Sequence, residues 1–203
     1  MTPKAPTSND NLMLATAHDH QLRALLKEHL RPRTEPGDLV VDELLLAWGD
    51  VRADVARVNG HLEGFEIKAG RDTLQRLPSQ VRAYEAVFDF SWLVTTQEHL
   101  KGVREVVPAS WGLMVAKGAA EGVDLKVVRS AKPNRRQDPA HLVRLLWREE
   151  VMAKLEELGA SRGLKRKPKI ELFAALAAAM PVPELSAYVR ECLKARQGWR
   201  AGR

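Results

Sequence analysis

The stretch Arg52 to Tyr84, RADVARVNGHLEGFEIKAGRDTLQRLPSQVRAY, settles how this chain is built. Two strand-like runs, Arg52 to Val58 and Leu62 to Lys68, flank Asn59-Gly60, the strongest short hairpin signal in the sequence. The segment Asp72 to Phe88 then places Leu74, Leu77, Val81, Tyr84 and Phe88 at steps of three and four, the spacing of a helix that buries one stripe. Pro78 kinks or restarts that helix, since proline lacks a ladder donor and suits a first turn. Successive strand side chains alternate faces, so Glu66 and Lys68 project to the same side. The turn decides whether Asp54 joins them. A two-residue loop would pair Val58 with His61 and put Asp54 on the opposite face. A three-residue loop brings Asp54 beside Glu66, either with Gly60 left-handed and a bulge or with Val58 opposite Leu62. Two carboxylates and an ammonium on one face are costly to bury unless something organises them. A divalent cation such as Mg²⁺ does so, taking one or two carboxylates and keeping waters and phosphate oxygens in its shell. Lysine beside it positions or deprotonates a metal-bound water, or stabilises charge developing on phosphate.

Outward from this stretch, residues 1–11 read as a disordered tail, and Leu12 to Leu30 as a helix ended by Pro32. Leu39 to Trp48, LVVDELLLAW, is apolar with two acids and is compatible with helix or strand; the reading favours helix. Phe90 to Thr95 is a buried-type strand, Gln97 to Val107 a helix, and Trp111 to Ala116 and Asp124 to Val128 two more strands. The order implies an α/β fold, a mixed central sheet flanked by helices, over residues 12–130. A polar, basic linker at 131–139 leads to an all-helical appendage over 140–203, with helices at about His141–Leu158, Lys169–Met180 and Pro183–Gln197.

Composition narrows the class further. The 203 residues are 45% hydrophobic and 29% charged with a mean hydropathy of −0.30, values of a globular chain. The longest apolar runs are far shorter than the roughly 20 residues of a membrane span, so no membrane association is expected. The first residues lack a basic and apolar leader pattern, which implies a cytoplasmic protein. One cysteine, Cys192, and six scattered histidines give no disulfide framework and no zinc signature. The net charge of +6 is unevenly spread: residues 1–128 carry −3 and residues 129–203 carry +9. Such asymmetry is a sign of a nucleic-acid or acidic-surface contact by the C-terminal third.

Asp54, an eleven-residue gap and Glu66-Ile67-Lys68 across a hairpin, with Glu43 upstream and Gln80 and Tyr84 on the following helix, resemble the PD-(D/E)XK nuclease superfamily. Gln80-x-x-x-Tyr84 is similar to the QxxxY motif of its RecB-like and lambda-exonuclease-like branches, and Val40 to Met114 resembles an uncharacterised bacterial branch. Ala53 stands where the superfamily's name has proline. The resemblance implies a restriction-endonuclease-like core that hydrolyses DNA phosphodiester bonds with Mg²⁺ or Mn²⁺ in repair, defence or mobile-element processing. It makes Asp54, Glu66, Lys68 and Gln80 catalytic, with Glu43, Asp54, Glu66 and the Ile67 carbonyl as metal ligands. Tyr84, Arg52, Arg71 and Arg76 would contact DNA. Lys165, Arg166, Lys167 and Lys169 lie in a helix-turn-helix segment weakly similar to SAP-type DNA-binding modules, where a basic turn grips phosphates. The alternative is an inactive nuclease-fold protein that binds DNA or serves assembly, and a homo-oligomer is compatible with either.

Overall fold

A computed structural model describes residues 19–46, 49–70, 72–119 and 122–196. The expected tail and the start of the first helix lie outside them, as do Arg71, Trp48 and residues 197–203. The fold is α/β: a six-stranded mixed sheet in sequential order, covered by helices on both faces. Its strands are β1 (Leu39–Leu46), β2 (Val51–Val58), β3 (Leu62–Lys68), β4 (Phe90–Thr96), β5 (Gly112–Ala119) and β6 (Gly122–Arg129). The outer pairings β1–β2, β2–β3 and β5–β6 are antiparallel. β3–β4 and β4–β5 are parallel, the crossovers being helices α2 (Leu77–Glu85) and α3 (Leu100–Val106). Parallel strands require such crossovers, and the central strands must then be buried on both faces. All seven residues of β3 are buried accordingly.

Leu39 to Leu46 is a strand, correcting the helix expected there. Local sequence left the choice open; pairing with β2 along the strand decides it, because β propensity is largely a matter of what a residue packs against. Glu43 interrupts the strand with φ of 58°, a left-handed conformation that costs a non-glycine residue roughly 1–2 kcal/mol. The face that meets the main core changes parity at this point. On β1 it is Val41 before and Leu44 and Leu46 after; on β2 it is Ala53, then Ala56 and Val58.

Helix α1 (Asp19–Leu30) buries Leu22, Leu26 and Leu30 against Val55, Phe65, Ile67, Val94 and Met114 on one sheet face. The other face carries α2 and the C-terminal helices α4 (Pro139–Leu142), α5 (Arg148–Glu157), α6 (Lys169–Ala179) and α7 (Val182–Ala195). The single helix expected over 141–158 is thus split, with a 3₁₀ turn at Val143–Leu145 between α4 and α5. Leu142, Leu155, Leu176, Leu185 and Leu193 share one buried cluster with Val58, Leu62, Tyr84 and Phe88. The basic linker is fastened down, Asn134 Nδ2 donating to the carbonyls of Glu85 (2.6 Å) and Phe88 (2.8 Å). The C-terminal helices therefore complete the core of the sheet domain instead of hanging from it.

Gly64 sits where β3 passes beneath the buried Phe88 ring; a Cβ there would lie 2.4 Å from ring carbons. Gly64→Ala should destabilise the fold by about 1–3 kcal/mol, the usual cost of overpacking, as read from urea unfolding. An unchanged midpoint would show that the ring yields freely.

Candidate functional site

The hairpin turn has three residues. Val58 pairs with Leu62, and Asn59 Oδ1 accepts from His61 N at 2.7 Å while Asn59 N donates to the His61 carbonyl. The register continues through Arg57↔Glu63, Ala56↔Gly64 and Val55↔Phe65, which sets Asp54 level with Glu66. Of the two three-residue geometries that bring the carboxylates together, the one with Val58 opposite Leu62 is present. Beyond Val55 the Asp54 side chain takes over from the ladder: its Oδ2 accepts from Ile67 N at 2.8 Å.

Glu66, 1% exposed, is the hub of the cluster. Its Oε1 accepts from Lys68 Nζ at 2.7 Å and from Gln80 Nε2, and its Oε2 accepts from Tyr84 Oη at 2.8 Å. Lys68 comes from the same face of β3, as strand alternation requires; Gln80 and Tyr84 come from one face of α2, one turn apart. Pro78 opens α2 in its first turn, so the helix starts at Leu77 and delivers both side chains. The C-terminal end of β3 is tied to β4, since Thr95 Oγ1 donates to the Lys68 carbonyl at 2.9 Å.

Burial first, and then the Glu66 charge, push the Asp54 carboxyl up to about 7, with the Ile67 N–H opposing. Burial, followed by Glu66 and Asp54, raises the Tyr84 phenol well above its ordinary value. Two crowded carboxylates of this kind are a poor arrangement for bare anions and a suitable one for a cation. Gln80 Oε1 adds a buried acceptor without a partner. Among the described residues no group of three or more His, Cys, Asp or Glu could hold a metal ion. Asp54 and Glu66 with main-chain oxygens and water nonetheless fit Mg²⁺ or Mn²⁺, which need only one or two carboxylates.

Several expected members stand elsewhere. Glu43 does not join Asp54 and Glu66; in its left-handed conformation on β1 it is half exposed and pairs with Arg52 at 3.2 Å. Arg52, expected on DNA, has that acid as its partner. Tyr84, also expected on DNA, is fully buried and holds Glu66 instead. The Ile67 side chain packs under α1. Arg76 is exposed just before α2, and Arg71 lies outside the described residues. Lys165, Arg166, Lys167 and Lys169 are all exposed around the turn before α6. Arg148 holds this turn by donating to the carbonyls of Lys165 (2.8 Å) and Lys167 (3.0 Å).

One member of the site escaped the sequence reading. Arg23 of α1 donates through Nη1 to the Asp54 carbonyl and through Nη2 to Asp54 Oδ1 at 3.3 Å. Its only signal was a cation in step with Lys27, four residues on, along a helix whose neighbours Leu22 and Leu26 face the core.

Tyr84→Phe removes the Oη donor from a buried carboxylate and should cost about 1–3 kcal/mol in thermal unfolding. A loss below a few tenths would mean that the hydroxyl does not hold Glu66 in solution.

These features define an α/β protein whose mixed sheet carries a buried carboxylate, lysine and glutamine cluster at the β2–β3 hairpin. The chain belongs to the Bacteriophage P4 protein cII family, whose model matches residues 13–200. It is 25% identical over 120 residues to Protein cII of Enterobacteria phage P4, an alignment covering 59% of this chain and 46% of that protein. The chain thus spans about half the length of this curated relative. It also resembles a solved structure, the SPO1766 protein of unknown function from Silicibacter pomeroyi. The identity is 22% and the TM-score 0.44, over 72% of this chain and 94% of that one. No helix among the described residues is long and apolar enough to cross a membrane.

Proposed function

We propose that this chain is a divalent-cation-dependent nuclease of the PD-(D/E)XK type that hydrolyses DNA phosphodiester bonds. The observation that supports this most is Asp54 standing level with Glu66 across the hairpin, with Lys68 and Gln80 on the same Glu66 oxygen. Asp54 and Glu66, with the Ile67 carbonyl as a further donor, would hold Mg²⁺ or Mn²⁺, which supplies charge neutralisation at phosphate and an acidified water. Lys68, at the end of β3, serves the phosphate or the attacking water through its ammonium. Gln80 and Tyr84 keep Glu66 in place from below. The exposed basic turn 165–169 and Arg76 supply phosphate contacts that position a strand without reading its sequence. Cytoplasmic DNA repair, defence against mobile elements or their processing are settings in which such an enzyme would act.

Cleavage assays on linear and circular, single- and double-stranded DNA with Mg²⁺ or Mn²⁺, and with EDTA as control, test the reading. The expected result is cation-dependent cleavage that Asp54→Asn abolishes. Cleavage unaffected by Asp54→Asn would refute the site, and salt-sensitive binding without cleavage would favour the inactive DNA-binding alternative.

Binding should weaken steeply with salt. Replacing Lys165 and Lys167 together by alanine should lower the slope of log K against log salt by about 2, because each phosphate contact contributes about 0.9. A slope identical to that of the unaltered chain would remove the turn from the interface.

A further inference from the structure

We propose that Arg23 is a built-in counter-ion which competes with the divalent cation for Asp54 and so sets the metal affinity of the site. This rests on the nuclease reading of Asp54 and Glu66 and adds to it a residue outside the hairpin and α2.

The two Asp54 oxygens are both committed. Oδ2 accepts from Ile67 N, which fixes the carboxylate to β3, and Oδ1 accepts from Arg23 Nη2. The guanidinium also donates to the Asp54 carbonyl, so it grips the residue at two points, a fork that a lysine could not reproduce. Oδ1 is therefore the oxygen through which Asp54 would ligate a cation, and the guanidinium already stands on it. A second positive charge at that oxygen meets like-charge repulsion unless Arg23 withdraws.

The surroundings give Arg23 somewhere to go. Nη2 already donates to Asp19 Oδ2 at 3.1 Å, one turn back on α1, a bond that can keep the guanidinium anchored as it leaves Asp54. Asp42 Oδ1, on β1, is 3.9 Å from Nη1, beyond hydrogen-bond distance, and is buried without a hydrogen-bond partner. Its sister oxygen is held by Lys27 at 2.6 Å. A small rotation of the guanidinium toward Asp42 would satisfy that orphaned acceptor as it frees Asp54. The arrangement has two positions for one cation, with a carboxylate waiting at each. By linkage, whatever Arg23 gains on Asp54 is subtracted from the affinity of the metal, and metal binding loosens Arg23 by the same factor.

The test is Mn²⁺ binding by calorimetry to the full chain, the Arg23→Gln variant and the Arg23→Lys variant, without DNA. Mg²⁺ titrations followed at the Arg23 Nε–H resonance accompany it. Arg23→Gln should bind Mn²⁺ at least tenfold more tightly than the unaltered chain. Arg23→Lys, which keeps the charge and loses the fork, should also bind more tightly, whereas a purely long-range effect of charge would leave it equal. The Arg23 resonance should shift along the same saturation curve as the bound cation. If the chain binds Mn²⁺ and either variant binds it no better, or the resonance stays still as Mg²⁺ saturates, competition is overturned and the metal site stands. If neither the chain nor the variants bind Mn²⁺, the nuclease reading falls and the proposal with it.

Discussion

On the proposed nuclease reading, Lys68→Ala is expected to lower DNA cleavage by about 10²–10³-fold in single turnover, the scale on which one preorganised electrostatic group contributes to a transition state. The same substitution should destabilise the cation-free fold by about 3–5 kcal/mol, because it breaks a buried ion pair and leaves one charge uncompensated. The reason lies in Glu66. At 1% exposure it relies on Lys68 at 2.7 Å for its counter-charge, while Gln80 and Tyr84 supply only neutral donors. Cleavage and urea unfolding in EDTA should therefore both change, and the two losses separate by cation. Saturating Mg²⁺ should recover part of the stability by neutralising Glu66 and should recover none of the cleavage. A variant that cuts DNA normally would remove Lys68 from the chemistry. Normal stability with lost cleavage would mean that Glu66 does not depend on its ammonium.

Asp54→Asn should reverse the usual direction of a buried-site mutation and stabilise the cation-free protein at alkaline pH. The folded Asp54 carboxyl titrates at about 7, raised by burial and then by Glu66, whereas an unfolded aspartate titrates near 4. Between those values the folded chain holds a proton that the unfolded chain has released. Stability therefore falls as pH climbs from about 4 to about 7, and the full penalty stands above that range. Asparagine does not titrate and keeps an oxygen for Ile67 N. The variant should match the parent near pH 4 and exceed it by on the order of 2–4 kcal/mol at pH 8, three pH units being worth about 4 kcal/mol at most. Urea unfolding in EDTA at pH 4, 6 and 8 measures the divergence. Parallel curves would show that Asp54 is not a strained anion.

The hairpin was legible because its signals are local. Asn59-Gly60, the alternation around Glu66 and Lys68, and the three- and four-residue steps from Leu77 to Tyr84 each depend on neighbours within one turn or one strand pair. Those signals put Glu66 and Lys68 on one strand face, the resemblance to the QxxxY motif added Gln80 and Tyr84, and all four meet through Glu66. Tyr84 shows the limit of such reading: periodicity put it on the apolar stripe and the motif put it in the site, and burial makes it both a core residue and a prop for Glu66.

What the sequence determined by itself was the class of fold, the order of most of its elements and the shared face of Glu66 and Lys68 on β3, since backbone periodicity acts through bonded neighbours. Only the tertiary structure decided the rest. Leu39 to Leu46 became a strand because β2 offered an edge to pair with, and Glu43 turned left-handed on that strand and paired with Arg52. The C-terminal helices joined the core because one apolar cluster spans Val41 to Leu193. Arg23 reached Asp54 across thirty-one positions of chain, a distance over which charge pairing is set by packing and leaves no periodic trace.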